Sequence, residues 1–233
     1  AHVPGSHGLS GDTDFNEGDF RSEGDSPAFL HSIPTGLRNM ESPGYGGWGG
    51  RYVNVRSNTW LDPVPVPGYQ YPEGRWYTGS AWGRGYMREQ YPEDLAAMGE
   101  YFKPLARWTD ALQNDFAARA DWCVTSYDEA NHPPSVVLGH NADLLVKPGT
   151  MLNLSAKGTT DPDGDKLSFR WWQYEEADIY PGSVEIDNSD NKDASVMIPG
   201  DAQIGETIHI ICEVKDDGVP VLTRYQRVIL EIE

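Results

Sequence analysis

Three short stretches of this 233-residue chain carry side chains whose types and spacing suit chemistry. The first, SEGDSPAFL at 22–30, sets Glu23 and Asp25 on either side of Gly24, just ahead of Pro27. A hard cation such as Ca²⁺ takes carboxylate oxygens from several chain segments, so a single aspartate here suits one part of a metal shell. The same residues also make a helix start, with Asp25 capping before Ser26-Pro27, and the two roles are compatible. The second stretch, GYGGWGGRY at 44–52, projects Tyr45 and Trp48 from glycine-rich backbone beside Arg51. Sugar rings have apolar C–H faces that stack on such aromatics, while Arg51 or Glu23 can hydrogen-bond the hydroxyls. The competing reading is a structural loop in which Trp48 plugs a gap in the core.

DPDGD at 161–165 is the third. An EF-hand needs a bidentate Glu at its twelfth position, and Trp172 stands there, so that motif fails. Asp-Gly between two strand candidates is ordinary turn chemistry, which leaves Asp161, Asp163 and Asp165 as a weak metal site. His7 in GSHG and His31 after PAFL are weak candidates to assist a leaving group, His7 the better of the two; otherwise no catalytic residue is assigned. Cys123 and Cys212 allow a single bridge, or two buried free thiols. There is no Ser-His-Asp order, phosphate-cradling loop or zinc spacing, and GWGGRY lacks the strand–helix unit of a dinucleotide site.

The elements that must position these residues divide the chain. Residues 1–91 are punctuated throughout by Gly, Pro and Asp and read as loops with short strands near Arg51–Val55, laid over a scaffold that lies elsewhere. Residues 92–119 are helical by period, with Leu95, Met98, Phe102 and Leu105 continuing into Trp108, Leu112 and Phe116. Pro104 should kink or split that helix. NHPP at 131–134 is a boundary. Beyond it SVVL, MLNLSA, KLSFRWWQY, VEI, ASVMI, ETIHIICEV and LTRYQRVILEI give seven half-buried strands in about 100 residues, an antiparallel sandwich of immunoglobulin type.

Composition narrows the ligands. The charge of −18, from 18 basic and 36 acidic residues, repels phosphate backbones and anionic membranes, so neither nucleic acid nor membrane is expected as a partner. No apolar run approaches the roughly 18–20 residues that span a bilayer. With 8 Trp and 12 Tyr in a glycine- and proline-rich chain, neutral sugars or cations fit better, and the composition suits an exported protein. The opening AHVPGSHG has no Met or apolar stretch, so a mature form or a fragment is expected.

EGDSPAFL, IPTGL, GYGGWGGRY, RWTDALQNDFAARADWC, NHPP, DPDGDKLSFRWWQY and DDGVPVLTRYQRVI together resemble a secreted cellulose-binding-protein family. Its members carry an N-terminal nucleoside-hydrolase-like domain and a C-terminal immunoglobulin-like domain. The resemblance covers nearly all of residues 5–233 and implies a mixed fold. Residues 1–130 would be the C-terminal portion of the α/β hydrolase-like domain, loops plus helices, and 131–233 an all-β immunoglobulin-like sandwich. It implies that Asp25 matches the late aspartate that completes a Ca²⁺ shell, and that the Asp-rich cluster supplying the other ligands is outside this sequence. The missing N-terminal part then becomes a candidate partner as a separate chain. A carbohydrate-active protein breaking a glycosidic or N-glycosidic bond with Ca²⁺ is expected, with Glu23, Tyr45, Trp48 and Arg51 at the sugar; the alternative is a non-catalytic cellulose-binding protein. Secretion, or periplasmic location, goes with either.

Overall fold

A computed structural model describes residues 26–61, 103–104 and 107–233. These fall into two units: residues 34–45 and 110–233 form one, and the remaining described residues belong to the other. The sequence analysis divides the chain at 130/131. By packing, residues 34–45 and a helix before residue 130 go with the sandwich instead.

The smaller unit contains helix α1 (Ser26–His31) and a hairpin of β1 (Val53–Arg56) with β2 (Thr59–Leu61). Asn58 turns the hairpin at φ 58°, a conformation that asparagine tolerates better than most residues. Gly47 and Gly50 exchange both backbone hydrogen bonds, at 3.0 and 2.9 Å, closing the glycine loop around Trp48.

In the larger unit, β3 (Asp143–Val146), β9 (Thr223–Ile232), β8 (Thr207–Lys215) and β5 (Ser168–Gln173) form one sheet in that order. A second sheet orders β4 (Met151–Ser155), β7 (Asp193–Met197) and β6 (Ile186–Asp187). Pairing is antiparallel except for β3 beside β9. Leu154, Trp171, Val196, Ile198, Ile208, Ile210, Cys212, Val214, Val228 and Leu230 from both sheets share one core. The described residues are thus mostly β-sheet with few helices, and the sandwich expected beyond NHPP is present.

Two strands differ from expectation. SVVL contributes only a bridge from Ser135 to Thr160, while the short run DLLV becomes β3. The far half of β9 offers a free edge, and four residues in parallel register fill it. The near half is filled differently: Tyr225 N–H donates to Thr35 O at 2.9 Å and Arg227 N–H to Gly36 O at 3.2 Å. Gly36 has φ 94°, and a Cβ there would lie 1.8 Å from Tyr225 O, so this close approach requires glycine.

That added segment explains why β8 is not half-buried as its alternation predicts. Ile208, Ile210, Cys212 and Val214 face the core, yet His209 and Ile211 on the other side are buried too. The ring of Tyr45, which ends a short 3₁₀ turn (Pro43–Tyr45), lies edge-on to His209 with centroids 4.9 Å apart.

Helix α2 (Thr109–Asp121) begins after a turn at 107–108, so the helical pattern breaks shortly beyond Pro104. Most of the predicted run from 92 lies outside the described residues. Phe116 is 70% exposed, contrary to the expected stripe; the buried positions are Leu112, Asp115 and Ala118. Repeated four-residue steps drift about 40° each around a helix, which carries Phe116 off the face that begins at Leu112. Asp115 accepts from Arg224 at 2.7 Å and Arg119 at 2.6 Å, and Asn114 donates to Val221 O at 2.9 Å, docking the helix on the start of β9 and the loop before it. Among the described residues no helix is long and apolar enough to cross a membrane.

Candidate functional site

His7, Glu23 and Asp25 lie outside the described residues. Trp48 is 1% exposed, so its ring faces protein as the structural reading of the loop requires. Arg51 is half-buried in the same unit, and Tyr52 donates to Gly49 O at 2.8 Å. His31, at the end of α1, is half-buried. Tyr45 belongs to the other unit, where it works on the sandwich.

There the focus is Arg227, which is fully buried on the outer face of β9. Its Nε donates to Leu37 O at 2.7 Å and its Nη2 to Tyr45 O at 2.6 Å. The guanidinium carbon lies 5.5 Å from the ring centre of Tyr45 and 5.1 Å from that of Tyr174, a double cation–π arrangement. Nη1 approaches His209 Nδ1 at 3.0 Å; because a guanidinium only donates, His209 is neutral with its proton on Nε2. Asp178 accepts from His209 N–H at 2.6 Å and from Gln173 Nε2 at 2.7 Å. Burial pushes its carboxyl up to about 7, against the lowering influence of those two donors and of Arg227. Burial likewise lowers Arg227, to about 10. The cluster anchors residues 34–45 to the sandwich.

A second cluster gathers Asp161, Asp163 and Asp165, which do come together: one carboxylate oxygen from each lies within 4.8 Å of the others. Asp161 Oδ1 accepts from the N–H groups of Asp163, at 2.9 Å, and Asp165, at 3.1 Å. Its Oδ2 is buried without a hydrogen-bond partner. Desolvation raises Asp165 above the usual carboxylate range, with Asp161, Asp217 and Asp163 adding repulsion. Asp216 alongside is raised for the same first reason. Asp163 also grips His132, accepting from its backbone N–H at 2.6 Å and meeting its Nδ1 at 3.0 Å.

His132 belongs to a third constellation that the sequence reading passed over. Between α2 and the first strand of the sandwich, the rings of Tyr127 and His132 stack with centroids 3.9 Å apart. Trp122 lies nearly parallel to His132, 5.6 Å away at 13°. Together with Thr125 and Ala130 these rings line a cavity of about 270 Å³. The signal in the sequence was the density of rings in DWCVTSYDEANH, a stretch to which the sequence reading assigned no site.

The two cysteines are not bridged. Cys212 is buried in the core, where burial pushes its thiol up to about 12, and Cys123 is exposed just after α2. Because Cys212 points between the sheets, it faces away from any surface partner. Neither a linker-to-sandwich bridge nor a pair of buried thiols is present.

Residues 2–52 match the nucleoside hydrolase-like domain of cellulose-binding Sde182, and residues 151–232 match the C-terminal domain of cellulose-binding protein Sde0182. A nucleoside hydrolase-related protein from Saccharophagus degradans, associated with carbohydrate metabolism, is 33% identical with a TM-score of 0.67. The alignment covers 92% of this chain, which spans only 48% of that one. A PKD domain from KIAA 1837 protein is 22% identical over 42% of this chain and 89% of its own, with a TM-score of 0.31, too low to bear on the fold. No curated protein matches the chain. The chain thus carries, in order, one segment similar to the nucleoside hydrolase-like domain and one similar to the C-terminal domain of the Sde182 cellulose-binding proteins.

Proposed function

We propose that this chain is the C-terminal part of a carbohydrate-active, nucleoside-hydrolase-like protein that works outside the cell or in the periplasm. The observation that carries this reading is the order of the two matches along one chain, hydrolase-like segment first. The whole protein would hydrolyse a glycosidic or N-glycosidic bond, with Ca²⁺ holding sugar hydroxyls and a carboxylate activating water. Asp25 serves as a calcium ligand in this reading, with Glu23 and Arg51 beside the sugar. Residues 34–45 lie within the matched hydrolase-like segment and pack in the same unit as the sandwich.

The sandwich also has a donor set suited to Ca²⁺. Carboxylate oxygens at 2.3–2.6 Å from one cation lie within about 5 Å of each other, and those of Asp161, Asp163 and Asp165 already do. The orphaned Asp161 Oδ2 and the raised Asp165 both gain from a cation between them. Bound there, Ca²⁺ would neutralise the mutual repulsion of these carboxylates.

A non-catalytic polysaccharide-binding role is the second reading, favoured by the aromatic column of Trp122, His132 and Tyr127, in which the outer ring, Tyr127, is exposed. Assaying the full-length protein on p-nitrophenyl glycosides and nucleosides, with Ca²⁺ or with EGTA, separates the two. Release that EGTA abolishes supports hydrolysis; retention on insoluble cellulose without release supports binding alone. Neither release nor retention overturns both.

A further inference from the structure

The column of rings between α2 and the sandwich has the makings of a binding site of its own. Its order is Arg119, Trp122, His132, Tyr127. The Arg119 guanidinium lies 5.5 Å from the Trp122 ring centre, so one end of the column is capped by a cation. At the other end Tyr127 is 68% exposed, although its inner face is stacked on His132. An aromatic ring held flat by its neighbour and open to water is costly to leave uncovered and well placed to stack on a ligand.

The column is rigidly supported. Trp122 Nε1 donates to Asn131 O at 2.8 Å, and Asn131 Nδ2 donates to Pro220 O at 2.7 Å and Asp216 Oδ2 at 3.2 Å. His132 is fixed through its backbone and its ring by Asp163. Thr125, which lines the cavity, is oriented by its hydroxyl's bond to Asp121 at 3.0 Å. Loop residues held on so many points behave as a preorganised surface, with little ordering entropy left to lose on binding.

The chemistry of the occupant follows. A chain with net charge −18 disfavours anionic polymers, and the Asp161–Asp165 cluster beside His132 strengthens that bias. Flat, neutral rings with apolar C–H faces and hydroxyl edges remain. The cavity of about 270 Å³ is smaller than the ~300–1,000 Å³ that enclose a drug-sized ligand. It therefore suits one ring of a polymer whose remainder lies along the surface.

We propose that Tyr127, His132 and Trp122 form a stacking platform for a neutral β-linked glucan chain, Tyr127 contributing the exposed face. This rests on the carbohydrate-directed reading above and gives it a site within the sandwich unit. Its residues are other than Tyr45 and Trp48, the aromatics expected at the sugar from sequence.

The test is titration of the full chain with cellohexaose by calorimetry. Tyr127→Ala should weaken binding at least tenfold, Tyr127→Phe should stay within about twofold, and Phe116→Ala, an exposed aromatic on α2, should change nothing. The Trp122 indole N–H resonance should shift during titration of the unsubstituted protein, a readout that survives if Tyr127→Ala fails to fold. If the chain binds cellohexaose but neither Tyr127→Ala nor the Trp122 resonance responds, the platform is wrong and the carbohydrate reading stands. If the unsubstituted chain does not bind cellohexaose, the platform falls, and the carbohydrate reading is then decided by the release and retention assay above.

Discussion

Arg227 and the Asp161–Asp165 corner lie in one sandwich and handle charge in opposite ways. Around Arg227 the protein assembles two ring faces, two carbonyl oxygens and a neutral histidine, and seals the cation from water. At the acidic corner it crowds carboxylates together and orients them with backbone N–H groups, leaving one oxygen buried and unpartnered. The first arrangement is closed and its partners are all protein. The second is under repulsion, which a cation bound as proposed would relieve. The two differ in burial as well, since Arg227 is fully buried while Asp163 is exposed and Asp161 and Asp165 are half-buried.

The largest expected effect comes from opening the closed cluster. Arg227→Leu removes two hydrogen bonds to carbonyls of residues 34–45 and leaves His209 Nδ1 without its donor. Leaving a buried acceptor unsatisfied costs about 1–3 kcal/mol, so losing both carbonyl contacts should cost several kcal/mol, measurable by urea denaturation of the chain. A loss below about 1 kcal/mol would mean that the ring stack, not the cation, holds the segment.

Next in size is a pH dependence from the same cluster. The Asp178 carboxyl titrates at about 7 in the folded protein, against 3.8 for an ordinary aspartate. Between these values the folded state keeps a proton that the unfolded state has released, so its contribution is full below about pH 4 and is lost as pH rises through 7. Each unit is worth about 1.4 kcal/mol, so the decline from pH 4 to pH 8 amounts to a few kcal/mol. Asp178→Asn should flatten that slope in denaturation curves at several pH values. A slope that persists in the variant would assign the titration to another group.

At the acidic corner the sign reverses, because addition rather than removal should stabilise. Calcium at ten times its dissociation constant adds about 1.4 kcal/mol, read as a rise in melting temperature. Asp161→Asn should abolish the rise while changing the calcium-free protein less. A rise that survives the substitution would place the metal elsewhere in the chain.

The two clusters were unequally legible in the sequence. DPDGD advertises itself by composition, and five adjacent residues fold onto one another whatever surrounds them. Arg227 sits in TRYQRVILEI at a position whose period-two alternation says solvent, and alternation was right about the opposite face, where Val228 and Leu230 are buried. What covers Arg227 comes from Leu37 and Tyr45, about 180 residues earlier, and no local pattern encodes that. For the same reason β8 looked half-buried, although Ile208, Ile210, Cys212 and Val214 were correctly placed together. DLLV was missed because four residues without alternation become a strand only when an edge needs them. The platform at Trp122, Tyr127 and His132 was overlooked for a different reason: its rings are local, but their stacking depends on Asp163 and Asn131 holding them.

Residues 34–45 offer the finest discrimination, because a second arginine also ties them to the sandwich. Arg38 donates to Asp143 Oδ1 at 2.7 Å and Oδ2 at 3.1 Å and to both oxygens of Glu41, which raises it above the usual arginine range. On paper this bidentate geometry is better than anything Arg227 makes. Yet the Asp143 side chain is 68% exposed and that of Glu41 53%. Water competes for exposed carboxylates and salt screens them, so such pairs are worth about 0–1 kcal/mol. Asp143→Ala should therefore cost no more than about 1 kcal/mol, and the difference from the unsubstituted chain should shrink in 1 M NaCl. The loss from Arg227→Leu, sealed behind Tyr45 and Tyr174, should be insensitive to salt. Were Asp143→Ala as damaging as Arg227→Leu, hydrogen-bond geometry rather than burial would be setting the strength with which this segment is held.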